Sequence, residues 1–166
     1  MLQFALRSWQ EDDADSLAHF ANNPEIAKNL RDAFPHPYTL DDAHAFISMA
    51  SKSTSIFAIE IAGKACGGIG LHPQHDIYRL NAEMGYWLGQ PFWGQGIVSR
   101  AINQVVRYGF EYLPVERIFA VPFGSNSASQ RVLEKNGFVL EAHLRATIIK
   151  NGRYEDEMIF AIRKNK

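Results

Sequence analysis

The sequence lacks features that several classes of protein require. It has a single cysteine, Cys66, which excludes an internal disulfide framework. No apolar run approaches the ~18 to 20 residues that a membrane-spanning helix needs. The first residues, MLQFALRSWQEDD, contain no apolar stretch of the kind found in a signal peptide. We therefore expect a cytoplasmic protein without a membrane partner.

An excess of charge of one sign is also absent. The 17 Lys and Arg residues nearly balance the 18 Asp and Glu residues, and the formal net charge is −1. The basic cluster IRKNK at the C-terminus is typical of a solvated chain end. Nucleic-acid-binding domains usually carry a basic face or stripe, so we expect no nucleic-acid partner.

Candidate metal ligands and nucleophiles are few. His72 and His75 lie in the predicted turn LHPQHD, but no third ligand accompanies them, so we predict no metal site. Cys66 has no adjacent base in the sequence. We interpret it as a small buried core residue rather than a nucleophile.

The residues that are present indicate an ordinary globular protein. A hydrophobic share of 46% over 166 residues predicts one domain, residues 1–166, with a substantial core. Apolar periodicity and turn residues then predict the order of the elements. The patterns predict strands at 3–9, on both sides of 62–64, at 80–88 and at 116–121, helices within 11–23, at 40–51, from 96 to Pro114 and from 126 to 137, and a final hairpin around Asn151-Gly152.

Two of the predicted helices have recognisable end signals. Thr39, with Asp42 three residues later, is a capping box. Asn126 is a typical N-cap residue, and Gly137 is a typical C-cap residue. These signals predict where both helices begin and where the second one ends.

The final hairpin predicts a register between its two strands. Asn151-Gly152 is a strong signal for a two-residue turn. With that turn, the facing pairs are Ile149–Tyr154, Thr147–Asp156 and Arg145–Met158. Arg145 would then be the diagonal neighbour of Asp156, close enough for a charge-assisted pair.

The strand predicted at 80–88 places one acidic residue in its middle. Alternation puts Glu83 on one face with Asn81, Gly85 and Trp87. The other face then carries Leu80, Ala82, Met84, Tyr86 and Leu88. Glu83 is therefore expected in the middle of the predicted strand.

Two glycines, Gly94 and Gly96, lie between this strand and the start of the helix that follows. A glycine-rich turn before a helix directs backbone N–H groups and the positive end of the helix dipole at one point, which favours an anion. The motifs of nucleotide hydrolysis and of dinucleotide binding do not fit, because Ile97-Val98 follows Gly96 and no G-x-G-x-x-G is present. The alternative is that both glycines only form a tight turn.

Three segments together resemble the GNAT superfamily of acetyl-CoA-dependent N-acetyltransferases. They are AEMGYWLGQPFWGQGIVSRA, NSASQRVLEKNGF and LRATIIKNGRYEDE. The sequence is most similar to the Rim-type branch, which acetylates N-terminal amines of ribosomal proteins, and the resemblance runs from residue 3 to 163. It implies an α/β (α+β) fold: a single GNAT-like domain with a mixed, mostly antiparallel, twisted central sheet of about six to seven strands, flanked by about four helices.

The resemblance also implies a site for acetyl-CoA. The 93–99 amides would hold the coenzyme A pyrophosphate: Trp93, Gly94, Gln95, Gly96, Ile97, Val98 and Ser99. The edge of the strand ending at Leu88 would pair with pantetheine, a backbone N–H near Trp87 or Leu88 would meet the oxyanion, and Asn126 would contact the coenzyme. The family pattern has Gly or Ala where this chain has Val98, and often Gln or Arg where it has Trp93; we expect the first change to tighten the turn without abolishing it.

Two residues are implied as catalytic. Glu83 occupies a position where the family often carries Glu, and we predict it as the base. Many superfamily members use a tyrosine as acid, but Leu133 stands at that position, so Ser129 is the candidate acid. The alternatives are that Glu83 is only an exposed strand residue and that Asn126 and Ser129 only satisfy N–H groups at the start of their helix.

The predicted function is transfer of the acetyl group of acetyl-CoA to a primary amine, with a protein N-terminal α-amine as the leading acceptor, by direct attack through a tetrahedral intermediate. The predicted acceptor cleft contains Phe34, Tyr38, Tyr86, Arg145 and Asp156, although aromatic residues at such positions are more often core. Two alternatives stay open: a non-catalytic module that binds or senses coenzyme A, and an acetyltransferase for an antibiotic or a polyamine. A homodimer is also left open.

Overall fold

Strands and helices follow one another along the chain in the order that the sequence predicts, with one short helix added. A computed structural model describes residues 2–165, and these residues form seven strands and five α-helices. In chain order they are β1 (Ala5–Arg7), α1 (Ala14–Ala21), α2 (Pro24–Ala27), α3 (Leu40–Ala50), β2 (Ile56–Ile61), β3 (Lys64–Pro73), β4 (Asn81–Leu88), α4 (Ile97–Tyr112), β5 (Arg117–Ala120), α5 (Ser127–Lys135), β6 (Val139–Lys150) and β7 (Arg153–Arg163).

The strands form one mixed sheet in the order β1-β2-β3-β4-β5-β7-β6. Strands β4 and β5 pair in parallel, whereas β1–β2, β2–β3, β5–β7 and β6–β7 pair antiparallel. The predicted fold class is therefore confirmed. The one helix beyond the predicted four is the single turn α2, which was not predicted and in which the Asn23 side chain accepts the N–H of Glu25 at 2.8 Å.

The predicted helix ends are confirmed. The Asp42 N–H donates to Thr39 Oγ1 at 3.2 Å, and the Thr39 N–H donates to Asp42 Oδ2 at 2.8 Å, so the capping box is complete. Gly137 ends α5 with φ 82°, a left-handed conformation that glycine adopts at no steric cost. Both helix ends follow from residues close together in the chain.

The C-terminal hairpin begins as predicted and then departs from the predicted register. Ile149 faces Tyr154, but the pairing shifts between Leu144 and Ile148, and His143, not Arg145, faces Met158. The predicted pairs Thr147–Asp156 and Arg145–Met158 are therefore wrong. The cause is a bulge with extra residues in β6, in which Ala146 has a φ of 53°.

The described residues divide into two compact units. The first contains the residues up to Gly70 together with Tyr86–Ala101, and its core includes Trp9, Leu17, Ile47 and Ala58. The second contains Leu71–Gly85 and the residues from Ile102 onward, and its buried residues include Ile102, Val105, Ile118 and Phe160. The assignment of residues 1–166 to a single domain stays a prediction. Among residues 2–165, no helix combines the length and apolar character needed to cross a bilayer.

Candidate active site

Strand β4 extends beyond its pairing with β5. The parallel register runs from Asn81 opposite Arg117 to Glu83 opposite Phe119, whereas β4 continues to Leu88. The predicted alternation is present, because Ala82, Met84 and Leu88 are buried while Glu83 is half-buried. Glu83 thus lies at the last position of β4 that pairs with β5. The five residues after it form the edge that the sequence analysis predicted for pantetheine.

Hydrogen bonds within the first unit fix the position of the end of β4. The Gly89 N–H donates to the Cys66 carbonyl at 2.7 Å, and the Trp93 indole Nε1–H donates to the Leu88 carbonyl at 2.7 Å. A short 3₁₀ turn, Gln90–Phe92, connects these points. Trp93 therefore links the strand end to the glycine turn, a role that its place in the sequence did not suggest.

Gly94 and Gly96 form the turn that precedes α4. Their φ values are 73° and 71°, and a Cβ built on either one would meet no atom of residues 2–165 within 4 Å apart from those of its own residue and its two chain neighbours. Glycine is therefore favoured here by the left-handed backbone and not by crowding from the protein. The open space in front of the turn is what an anion would need in order to reach the backbone N–H groups.

Helix α4 begins immediately after this turn, at Ile97. The first turn of a helix leaves its N–H groups without intrahelical partners, and here the Arg100 N–H is the one that reaches back to the Gly96 carbonyl, at 3.2 Å. The turn and the helix start therefore fit a pyrophosphate through their backbone N–H groups. Val98 belongs to the helix and not to the left-handed turn, so the departure from the family pattern leaves the turn formed.

The second unit carries Asn126 and Ser129 at the start of α5. The Ser129 N–H donates to Asn126 Oδ1 at 3.2 Å, so Asn126 caps the helix as predicted. Both side chains are half-buried. The structure thus confirms the capping role of Asn126, while the roles of both residues toward coenzyme A stay predictions.

A loop leads from β5 to this helix, and we call residues 122–126 the β5–α5 loop. It lies antiparallel along β7 within the second unit. The contacts are Met158 N–H to the Pro122 carbonyl at 3.0 Å, a bridge between Phe123 and Glu157, Gly124 N–H to the Asp156 carbonyl at 2.9 Å, and Ser125 Oγ to Glu155 Oε1 at 2.9 Å. Strand β7 therefore fixes the loop that delivers Asn126 and Ser129.

The partner of Asp156 differs from the prediction. The carboxylate accepts from His143 Nε2 at 2.6 Å and from the Ala146 N–H at 2.8 Å, whereas the predicted charge-assisted pair with Arg145 is replaced by these two contacts. The His143 hydrogen bond, with help from the Ala146 N–H, lowers the pKa of Asp156. His143 could not be predicted as the partner, because the bulge that brings it opposite Met158 has no signal in the local sequence pattern.

The predicted aromatic residues of the cleft occupy the first unit, and one of them is core. Tyr38 is buried, and burial raises its pKa to about 12. Phe34 packs against Tyr38 and Trp87, with ring centroids 5.0 Å and 5.7 Å apart, at the margin of that core. Tyr86 is half-buried on β4. The roles of Phe34 and Tyr86 toward an acceptor stay predictions.

Cys66 is a buried core residue, as its sequence context predicts. Burial raises the pKa of its thiol, which disfavours the thiolate needed of a nucleophile. His72 and His75 are exposed. Among residues 2–165, no group of three or more His, Cys, Asp or Glu side chains is arranged to hold a metal ion.

Comparison with known proteins gives the family. A model of the acetyltransferase (GNAT) domain matches residues 3–139. The putative ribosomal N-acetyltransferase YdaF of Bacillus subtilis (strain 168) is 33% identical over 104 residues, which cover 63% of this chain and 56% of YdaF, so the match spans little more than half of that relative. The spermidine N(1)-acetyltransferase of Escherichia coli (strain K12) is 23% identical over 165 residues, which cover 95% of this chain and 84% of that enzyme.

A solved structure shows the same fold. RimL, a ribosomal L7/L12 alpha-N-protein acetyltransferase in complex with coenzyme A, superposes with a TM-score of 0.85 at 20% identity, over 96% of this chain and 93% of RimL. At that identity the likeness establishes the fold alone.

Proposed function

The chain belongs to the GNAT acetyltransferase family, and from this we propose that it transfers the acetyl group of acetyl-CoA to a primary amine. The observation that carries the proposal is the Gly94–Gly96 turn. Its left-handed backbone, the open space beside it and the start of α4 behind it suit a bound pyrophosphate. A thioester supplies the activated acetyl group.

Acetyl transfer to an amine requires a neutral amine and a protonated leaving thiol. The new bond joins the amine nitrogen to the acetyl carbon, and the bond between that carbon and the sulfur breaks. Glu83 is the proposed acceptor of the amine proton, since it lies at the last position of β4 that pairs with β5. Ser129 is the proposed donor of a proton to the thiolate, from the first turn of α5.

The proposed acceptor is a protein N-terminal α-amine. An α-amine has a pKa of about 7.7 to 8.0, against about 10.4 for lysine, so a carboxylate can deprotonate it at a modest cost. The similarity to YdaF, a putative ribosomal N-acetyltransferase, supports a ribosomal protein as the acceptor. A polyamine is the second candidate, because the spermidine acetyltransferase resembles this chain over 95% of its length.

The direct test measures the release of free thiol from acetyl-CoA in the presence of a panel of acceptors. N-terminal peptides form one arm, and spermidine and small primary amines form the other. We expect turnover with the peptides. Turnover with spermidine alone would show that the acceptor is a polyamine. Binding of acetyl-CoA without any turnover would indicate a non-catalytic coenzyme A module.

Substitution of Ser129 tests the proposed acid. Ser129→Ala should slow thiol release about 10- to 1000-fold while the dissociation constant of acetyl-CoA stays nearly the same. Ser127→Ala is the matched control, since Ser127 is an exposed serine on the first turn of the same helix. Equal rates for the two variants would remove Ser129 from the mechanism.

Substitution of Glu83 tests the proposed base. In Glu83→Gln no carboxylate takes the amine proton, so the acceptor must already be neutral in solution, and the rate profile should move to higher pH. A profile that superimposes on that of the wild type would show that Glu83 is a strand residue without a role in proton transfer.

A further inference from the structure

The β5–α5 loop approaches β7 too closely to leave room for a side chain at its centre. A Cβ on Gly124 would lie 2.9 Å from the Cβ of Asp156, a separation that real Cβ atoms essentially never show. The Gly124 N–H also donates to the Asp156 carbonyl at 2.9 Å. The position of the loop therefore depends on where Asp156 lies.

The Asp156 side chain is itself held from both oxygens. Oδ2 receives a hydrogen bond from His143 Nε2 at 2.6 Å, and Oδ1 receives one from the Ala146 N–H at 2.8 Å. An ionised carboxylate only accepts, so His143 donates through Nε2. The bulge in β6 supplies both donors: it sets the register of His143 and turns the Ala146 N–H inward through a φ of 53°.

The loop is in turn hydrogen-bonded to α5. The Gln130 side-chain amide donates to the carbonyls of Phe123 and Gly124 at 3.1 and 3.0 Å, which fixes the loop against the first turn of the helix. Asn126 then accepts the Ser129 N–H. A series of contacts thus runs from His143 through Asp156 and Gly124 to Gln130, whose N–H donates to the Asn126 carbonyl at 3.2 Å, and from Asn126 to Ser129.

The geometry points to His143 and Asp156 as a positioning pair that sets the place of Ser129 by fixing the β5–α5 loop. This inference rests on the proposed function of Ser129. It assigns the pair no contact with the acceptor, which separates it from the cleft role that the sequence suggests for Asp156. Misplacement of a reacting group by about 1 Å can cost on the order of 100-fold in rate, so the pair should influence kcat in particular.

The test compares Asp156→Asn, His143→Ala and His143→Gln by steady-state kinetics on the full chain. Asp156→Asn and His143→Ala should lower kcat about 10- to 100-fold while the KM values for acetyl-CoA and acceptor change less than about threefold. Glutamine can place a donor near the position of Nε2, so His143→Gln should recover part of the rate. A rise in acceptor KM with kcat unchanged would overturn the inference and return Asp156 to the acceptor site.

Glu141→Gln is the matched control. Glu141 lies on the same strand β6 and forms ion pairs with Arg117 and Arg163, away from the Gly124 contact. This variant should lower thermal stability and leave kcat within about twofold of the wild type. Equal losses of kcat in Glu141→Gln and Asp156→Asn would reduce the effect to general destabilisation and overturn the inference.

Amide hydrogen exchange gives a readout that does not depend on activity. Exchange of the Gly124 and Ser129 N–H groups should be faster in Asp156→Asn and in His143→Ala than in the wild type and in Glu141→Gln. Unchanged exchange would overturn the positioning role. A wild-type chain without acetyl-CoA turnover would instead contradict the proposed function, while the exchange rates would still decide the positioning role.

Discussion

In the first unit a Cβ on Gly94 or Gly96 would meet no atom of the described chain within 4 Å beyond its own residue and chain neighbours, whereas in the second unit a Cβ on Gly124 would lie 2.9 Å from the Cβ of Asp156. Gly94 and Gly96 have positive φ values, and Gly124 does not. The first two glycines keep backbone N–H groups accessible beside empty space. Gly124 permits two segments of the protein to touch. One residue type therefore lies beside open space in one unit and permits close packing in the other.

The two units also differ in the burial and the hydrogen-bond partners of one carboxylate in each. In the first unit the side chain of Asp13 is 6% exposed and accepts two hydrogen bonds from Arg7, both at 2.7 Å. In the second unit the side chain of Asp156 is 36% exposed and is held by His143 and a backbone N–H. A buried ion pair becomes costly when one partner is removed, whereas solvent screens an exposed pair. Asp13 should therefore matter for stability, and Asp156 for the position of a loop.

The largest expected effect is that of Arg7→Ala on stability. Without the guanidinium, the carboxylate of Asp13 stays buried and unpaired, and we expect the free energy of unfolding at neutral pH to fall by about 2 to 3 kcal/mol. His143→Ala should cost clearly less, because both partners of that pair are exposed. Chemical denaturation of the two variants measures both losses. An equal loss of unfolding free energy in the two variants would show that the Asp13 pair is no more important for stability than the Asp156 pair.

The same pair gives a pH dependence with a definite sign. Burial by itself raises the pKa of Asp13, but hydrogen bonds from Arg7 and the Gln10 N–H outweigh burial and lower the pKa. A carboxyl group with a lowered folded pKa contributes stability above its unfolded pKa of about 3.9 and loses that contribution as the pH falls through the folded pKa. The difference in the free energy of unfolding between the wild type and Arg7→Ala should therefore become smaller below about pH 4. Denaturation curves at a series of pH values measure it, and a gap that widens toward acid would contradict the assignment.

The next effect is that of Gly96→Ala on cofactor affinity. The new methyl group would enter the space left for the pyrophosphate, and the loss of one or two charge-assisted hydrogen bonds would weaken acetyl-CoA binding about 10- to 100-fold. Gly63→Ala is the control for backbone strain, since Gly63 also has a positive φ, 78°, and nothing within 4 Å of a Cβ, but lies in the β2–β3 turn. Calorimetric titration should show weakened binding in Gly96→Ala alone. Equal affinities would mean that the turn does not bind the coenzyme.

Gly124→Ala should have the reverse profile. Overpacking against Asp156 is expected to cost about 1 to 3 kcal/mol of stability and to lower kcat, while the affinity for acetyl-CoA stays within about threefold of the wild type. Thermal unfolding, kinetics and calorimetry on the one variant provide the three values. A loss of affinity as large as that of Gly96→Ala would erase the distinction between the two kinds of glycine.

The smallest expected effect is that of Trp93→Phe. The substitution keeps an aromatic ring and removes the hydrogen bond to the Leu88 carbonyl, which is worth about 1 kcal/mol. The KM for acetyl-CoA should rise about two- to fivefold, with little change in kcat. Trp93→Ala, which also removes the ring, should have a larger effect. If Trp93→Phe matched the wild type, the indole would hold the turn by packing alone.

The elements whose signals lie close together in the chain were predictable. The capping box of Thr39 and Asp42, the N-cap Asn126 and the turn at Asn151-Gly152 each depend on a few neighbouring residues, and each is present. The Gly94–Gly96 turn belongs with them, because a left-handed backbone favours glycine, which adopts it without steric cost. In every case the residues that give the signal also form the turn or the cap.

The contacts that were missed join residues far apart in the chain. The register of β6 follows the ideal hairpin at Ile149 and Tyr154 and then changes, and the bulge that changes it is held by Asp156, ten residues after Ala146. The Trp93 hydrogen bond reaches back over a turn whose path was not predictable. His143 and Gly124 were overlooked for the same reason, since neither belongs to a pattern within its own segment.

The sequence by itself determined the family, the order of helices and strands, and the glycine turn suited to an anion, because these depend on side-chain periodicity and on the conformations that individual residues allow. Only the tertiary structure decided that Asp156 pairs with His143 instead of Arg145, and that Gly124 lies against β7. The physical reason is that a bulge costs little locally and is selected by the distant hydrogen bonds and close packing it permits.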